Sequence, residues 1–465
     1  MKKHLIVGLL VLCIVPASFA TLVTNMNQSA MYLRLLSRNA STDIDAVYYN
    51  PAGLTALKDG WHIGLNNQTV FQTKTIKNEF PILNNGTYEG KVNVPLFPDA
   101  FVAYKKGPLA LSFGFGPAAG GGTADFTRGL PSFEWQFATL PGMISGMGIP
   151  TKNYSADIAF KGSSVYLGFQ ANVSYAFSDM ISGAIGARYI SATNTYTGHI
   201  NNVMVNPTLP QIGLTGAMMK ASSFFSTLGQ YGLMNPAVAA AYAAQMGDKA
   251  VDAKQTATGF TPILSLNFTP MAGLNVSAKF EFLTKLEFTN ATTKDDTGLF
   301  PNGKKERSDI PAFFSLGAEW MVLPELKATA SFNYFLDKNA NWEGREAFVN
   351  SNSFDLAVGL EYTLSDMFLI SAGYLHTQFD LASGYQSDMA HDMGADTFGG
   401  GFRIKLSPMF DIDLSAMSVG YKTDQKSIPY IIKSTPPAPD VNLGTYLEHY
   451  SRTTFAFAAA VNFHL

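Results

Sequence analysis

Arg188, Lys279 and Arg403 all fall on the polar side of stretches that alternate apolar and polar residues. A cation in a low-dielectric interior can hold a carboxylate, and Arg can do so with two parallel bonds, so these three are candidate ligand-binding residues for an acidic amphiphile. The same polar faces carry Glu281, Glu319, Glu361, Asp411 and Asp413, which offer the competing role of structural ion pairs. A second group, Asp388, His391, Asp392 and Asp396, could activate water through an Asp/His pair, although a solvated acidic loop accounts for it equally well. The chain has no Gly-x-Ser-x-Gly elbow and no His-Glu-x-x-His helix, so catalysis is disfavoured and no catalytic residue, metal or cofactor is expected.

The elements that carry these residues read as strands. In Val165-Leu167-Phe169-Ala171-Val173-Tyr175-Phe177 one face is wholly apolar, while Ser164, Gly168, Gln170, Asn172 and Ser174 between them are small or polar. The same period of two recurs at 274–282, 354–362, 410–416 and 455–465. Tight links at 106–108, 178–179, 270–271, 323–325, 365–366 and 407–408 take turns with long ones near 74–97, 118–162, 199–258, 291–308, 340–352, 383–396 and 425–450. Short turns on one side and long loops on the other point to an all-β, transmembrane antiparallel barrel of about 14 strands, with the last strand running to residue 465. Closing the sheet satisfies every backbone group where no water is present.

Composition agrees. No internal apolar run approaches the roughly 18 residues of a membrane helix, yet charged residues are only 14% and aromatics 13%. Lys2 and Lys3, the apolar run Leu5 to Val15 and Ala17-Ser18-Phe19-Ala20 make a secretory signal over residues 1–20, which would remove the sole cysteine, Cys13. Without Lys2 and Lys3 the balance is 32 − 2 = 30 basic against 35 acidic residues, which disfavours nucleic acid as a partner. The remaining 21–59 lacks strand alternation and is too short for its own core. Within it a helix-compatible run from Met31 to Tyr49 must stop at Asn50-Pro51-Ala52, because Pro51 disfavours helical angles at the residue before it.

In the barrel portion, Leu109 to Pro117 carries Gly114, Gly116 and Pro117 and runs into Gly120-Gly121-Gly122, which predicts an interrupted or bent wall. The loops 118–162 and 199–258 are unusually apolar, with Phe133, Trp135, Phe137, Phe224 and Phe225, and a helix is expected from Asn235 to Met246. They form either a small loop core or a surface that captures an apolar ligand.

Asn27-Gln28-Ser29-Ala30, Arg34, Ala40-Ser41, Asp45-Ala46 and Tyr49-Asn50-Pro51-Ala52-Gly53-Leu54 resemble the long-chain fatty-acid transporter (FadL-like) family of outer-membrane proteins. The resemblance is dense over residues 25–57 and architectural beyond them. It implies a barrel in the bacterial outer membrane, spanning 60–465, whose lumen holds an N-terminal hatch at about 21–59. It also implies that the Asn50-Pro51-Ala52 corner lies by a kink in the third strand at Gly114, Gly116 and Pro117. The implied function is passive uptake of long-chain fatty acids or other lipophilic molecules, released sideways through the wall gap by a monomer in contact with outer-membrane lipid and lipopolysaccharide. The alternative classes are a receptor or adhesin acting through its outer loops and, less favoured, an outer-membrane hydrolase.

Overall fold

A computed structural model describes residues 26–432 and 440–465. The expected signal segment and Cys13 lie outside the described residues. Fourteen antiparallel strands form one closed ring. They are β1 (Gly60–Asn78), β2 (Thr87–Lys106), β3 (Leu109–Phe126), β4 (Tyr154–Ala176), β5 (Ile181–Val205), β6 (Lys249–Met271) and β7 (Leu274–Glu281, resuming at Glu287–Asp295). The ring continues with β8 (Lys305–Arg307 and Phe313–Leu323), β9 (Leu326–Phe335), β10 (Val349–Thr363), β11 (Phe368–Leu381), β12 (Ala395–Ser407), β13 (Phe410–Tyr421, extended by Asp424–Ile432) and β14 (Val441–His464). Each strand pairs with the next, and β14 closes on β1 from Glu448 opposite Asn78 to His464 opposite His62. Leu465, which is not aromatic, still joins this seam by exchanging backbone hydrogen bonds with Trp61 at 2.8 and 2.7 Å.

Alternation sets which way side chains point. On β10, Leu356, Val358 and Leu360 are 50%, 50% and 55% exposed, while Asp355 and Glu361, on either side of them and on the alternate face, point into the ring and are buried. An apolar outside and a polar inside is the inversion of a water-soluble barrel. The strands run further than the sequence alternation alone suggests: β5 and β6 stay paired out to Ile200 opposite Lys249, which shortens the expected loop 199–258 to 206–248. Likewise the expected loop 74–97 contracts to 79–86, because β1 and β2 pair as far as Lys77 opposite Thr87.

Among the described residues the long connections carry four α-helices, Pro131–Ala138, Leu140–Gly146, Ala221–Gln230 and Pro236–Gln245, the last where a helix is expected. Phe133, Phe137, Leu140, Phe224, Phe225 and Tyr242 belong to one buried cluster. The apolar loops therefore pack on one another and form a small core over one end of the barrel.

Residues 26–56 occupy the ring. Ser415 of β13 donates to the Ala30 carbonyl at 2.8 Å, Asn39 donates to Asn333 of β9 at 2.9 Å, and Gln170 of β4 donates to the Val47 carbonyl at 2.7 Å, so the segment is held from several sides. The expected continuous helix from Met31 to Tyr49 does not form. A first helix, Ala30–Leu35, is capped by Ser29 Oγ and ends at Leu36 with φ 57°; a second, Ala46–Tyr49, follows. Between them Arg38 draws the chain into a compact turn, its guanidinium donating to Asp45 (2.7 Å), Ser41 (2.6 Å) and Asp43 (3.0 Å). A buried guanidinium needs its donors satisfied, and this local set outweighs helix continuity. Burial opposes charge on Asp43, but Arg403 and Arg38 hold its carboxyl well below the usual range.

Candidate functional site

The wall is broken between β2 and β3. The two strands pair at Lys91 opposite Asp125 and again at Ala100 opposite Phe115, and the ladder between them is missing. On its other side β3 stays paired with β4 from Leu109 to Phe126, with register shifts at Pro117/Ala119 and Gly120/Gly122. Pro117 has no N–H to give, and Gly120 and Gly121 take φ of 71° and 128°, which glycine adopts without strain. Pro95 and Pro98 on the facing stretch of β2 remove two more donors. Those prolines are the sequence signal that places the break opposite Gly116 and Pro117 as well as within β3.

The freed backbone is met from inside. Gln28 Nε2 donates to the Pro117 carbonyl at 2.8 Å. A Cβ on Gly116 would collide with Asp99 Oδ1 and Gln28 Oε1, and one on Gly114 would press on Val47 and Phe101. These glycines therefore leave space for the N-terminal segment as well as weakening the strand. Asp99 itself is buried; its Oδ2 stands 3.5 Å from Gln68 Nε2, and among the described residues Oδ1 has no hydrogen-bond partner.

The Asn50-Pro51-Ala52 corner is fixed elsewhere. Asn50 donates to Asn267 of β6 (2.8 Å) and to the Ser41 carbonyl (3.1 Å), and accepts from Ser265 of β6 (3.1 Å). Ser174 of β4 donates to the Pro51 carbonyl (2.7 Å), and Ser182 of β5 donates to that of Ala52 (2.8 Å). The polar contacts of the corner thus run to β4, β5 and β6; Gln28, Val47 and Tyr48 are among the N-terminal residues that reach the kink.

The three cations singled out from the sequence all point inward and all meet acids. Arg188 forms a two-pronged pair with Glu281 at 2.6 and 3.0 Å, with its guanidinium over the Tyr48 ring. Lys279 reaches Glu281 at 2.7 Å and the Tyr48 carbonyl at 2.9 Å. Arg403 pairs with Asp413 through bonds of 3.0 Å. Each is paired with an acid of the protein, Arg188 and Lys279 sharing Glu281, and these two also clamp Tyr48 of the second N-terminal helix.

Two cavities are open enough for a small molecule. One, of about 240 Å³ inside the ring, has Met26, Asn27 and Tyr32 of the N-terminal segment on one side and is closed by Asp392 and Met393. Leu375, Met417 and Val419 give it apolar wall, and Asp337, Asp355 and Arg452 give it charge. Arg452 is the cation that faces open space; as a lone charge on a long apolar-alternating strand it carried no distinguishing pattern. The second cavity, about 770 Å³, is a groove among the outer loops lined by Ile82, Leu83, Pro141, Met143, Ile432 and Leu443. Smaller crevices at the broken wall bring Gln28, Tyr48, Ala118 and Arg188 together.

No protein-family model matches the sequence, and no curated protein matches it. Solved structures do. A FadL homologue from Pseudomonas aeruginosa aligns with a TM-score of 0.62 at 12% identity, covering 96% of this chain and 99% of that one. The chain has the FadL-type barrel fold. The Pseudomonas putida toluene transporter TodX aligns with a TM-score of 0.56 at 11% identity over 96% of this chain and 100% of that one. The Ralstonia pickettii toluene transporter TbuX gives 0.50 at 13% over 90% and 94%. At such identities the likeness speaks for the FadL-type fold alone.

The acidic loop of this FadL-type barrel departs from the expectation of a solvated cluster. Asp388, His391 and Asp392 are buried, with exposures of 6%, 1% and 8%. Asp388 accepts from the Ser132 backbone at 2.8 Å, Asp392 accepts from the Tyr385 hydroxyl at 3.1 Å, and the His391 ring stacks on Tyr450. Burial, reinforced by Arg452 and Lys74, pushes the His391 imidazole well below its usual range, so it sits neutral in this loop. Asp396 bonds a different histidine, His376, at 2.8 Å. Asp388, His391 and Asp392 serve the packing of the loop, Asp396 lies on β12, and the four do not converge on one point.

Proposed function

We propose that the protein is a bacterial outer-membrane channel for passive uptake of hydrophobic small molecules, with residues 21–59 as a hatch and the β2–β3 break as a lateral exit. The observation that carries this reading is the missing ladder between Lys91/Asp125 and Ala100/Phe115, filled from inside by Gln28. A water-filled pore gives an apolar solute no advantage, whereas a lumen opening sideways lets it pass from protein to lipid without meeting water. An apolar groove among the outer loops would collect the solute, the inner cavity would hold it, and movement of the hatch around Gln28 would connect that cavity to the break. The exposed apolar side chains of the ring face membrane lipid and lipopolysaccharide, and a self-plugged ring of fourteen strands works as a monomer. The neighbours described as toluene transporters favour compact lipophiles alongside long-chain fatty acids as cargo.

The test is transfer of a radiolabelled hydrophobic solute into vesicles carrying the purified protein. Faster transfer than in protein-free vesicles, with no increase for a hydrophilic sugar of similar size, is the expected result. Equal rates with and without protein would remove the reading.

A further inference from the structure

The charge balance inside the ring is uneven. Elsewhere in the ring most buried acids have cations, Asp99 at the wall break being an exception: Glu281 has Arg188 and Lys279, Asp413 has Arg403, Glu361 has Arg34, Asp45 has Arg38. At the cavity this pattern stops. Asp337 and Asp355 both line it and are both buried, at 1% and 6% exposure. Asp337 Oδ2 accepts from the Ser353 backbone at 2.7 Å and its hydroxyl at 2.5 Å; Asp355 Oδ1 accepts from the Thr377 hydroxyl at 2.7 Å. All of these donors are neutral, and among the described residues neither acid makes an ion pair. The one cation on the lining, Arg452, stands over the Tyr421 ring and gives Nη2 to the His391 carbonyl at 2.6 Å, with Lys74 beside it in register. Beside the acids, Leu375 and Phe379 of β11, with Met417 and Val419 of β13, supply apolar surface.

A buried carboxylate without a cation is costly, and a partner that brings positive charge or hydrogen-bond donors removes that cost. A carboxylate ligand would instead add a negative charge where two are already uncompensated. We propose that the inner cavity selects small amphiphiles whose polar end donates, an ammonium or a hydroxyl, over carboxylates of the same shape, with Asp337 and Asp355 as the specificity-determining residues. This rests on the channel reading above and names the class of solute that its inner site retains. Leu375 and Met417 hold the apolar body, and the donor lies between the two acids.

Four probes on one ring separate the possibilities: 4-methylbenzylamine, p-cresol, p-toluate and toluene, each measured by equilibrium dialysis against the full-length protein in nanodiscs at pH 7.5. The expected order places the amine and the phenol at least 10-fold tighter than the acid. Asp337→Asn and Asp355→Asn keep shape and hydrogen bonding, and should each cut amine affinity at least 5-fold while leaving toluene unchanged. Tighter amine than phenol would assign the preference to charge, and equal binding to donation; either supports the proposal. Binding of p-toluate as tight as the amine, or an amine preference that survives both substitutions in protein that still runs as a heat-modifiable barrel, overturns it. Vesicle transfer of toluene run in parallel keeps the two readings apart: transfer without donor preference removes only the selectivity, and no transfer removes the channel.

Discussion

Gln28 and Pro117 are joined across the lumen, the side-chain amide of one donating to the backbone carbonyl of the other at 2.8 Å, although they stand 89 positions apart in sequence. The bond ties the first turn of the N-terminal segment to the point where the barrel wall loses its ladder. A carbonyl stripped of its strand partner is satisfied by the one part of the chain proposed to move.

Replacing Gln28 by Ala removes the amide that donates to that carbonyl, at a cost of about 0.5–1.5 kcal/mol for the lost hydrogen bond. The expected outcome is a lower unfolding midpoint in urea with lipid vesicles and a faster basal transfer of hydrophobic solute. An unchanged transfer rate would separate this bond from any role in the route.

Gly116→Ala puts a methyl group where Asp99 and Gln28 now approach. It should displace Gln28 from Pro117 and so reproduce most of the Gln28→Ala effect. The double substitution is then markedly less than additive in a double-mutant cycle, because both changes remove the same contact. Additive effects would mean that Gly116 acts through the strand alone.

Glu281 is the acid shared by Arg188 and Lys279, whereas Arg188 is one of two cations on Glu281. Glu281→Gln therefore leaves two buried cations uncompensated and should destabilise the protein by about 3–5 kcal/mol, the cost of breaking a buried pair. Arg188→Met leaves Glu281 with Lys279 and should cost distinctly less. Denaturant unfolding of the two variants checks the order.

Asp337 lies in the connection between β9 and β10, where burial pushes its carboxyl up from the ordinary 3.8 to about 6. With the folded value above the unfolded one, the protonated acid favours the folded state. That contribution is complete below about pH 4 and is lost as the pH rises through 6, amounting to about 2–3 kcal/mol. Unfolding midpoints measured between pH 4 and pH 7.5 should fall for the wild type relative to Asp337→Asn, in which this step is absent.

Much of this architecture is legible in the sequence because a closed barrel has few ways to satisfy its backbone: period-two faces and alternating short and long links leave little choice. The loss of pairing from Gly116 and Pro117 onward follows from residue type, since glycine and proline act on their own backbone, whereas Gly114 keeps its place in the ladder opposite Phe101. What depends on the partner does not read. Arg188, Lys279 and Arg403 are visibly inward, but whether a charge is spent on a protein acid or kept for a ligand depends on which strands face each other across the lumen. For the same reason Asp355 on its polar face gives no sign that it lacks a cation, while Glu361 six residues on has Arg34. The helix expected through Met31 to Tyr49 fails at Leu36 because Arg38 collects Ser41, Asp43 and Asp45, a tertiary demand invisible to local propensity. Asp388, His391 and Asp392 look solvated in a polar loop, but this one is folded under its neighbours.

The central claim is that solute leaves through the break between β2 and β3. A Cβ on Gly122 would lie against the Val92 and Val94 side chains, so Val94→Cys with Gly122→Cys places two thiols across the gap in a chain whose sole native cysteine is Cys13. Transfer of radiolabelled toluene into vesicles should drop to the protein-free rate when this pair is oxidised and return on reduction, with each single cysteine variant unaffected. Transfer that continues at the wild-type rate through the oxidised, cross-linked barrel would contradict the lateral route.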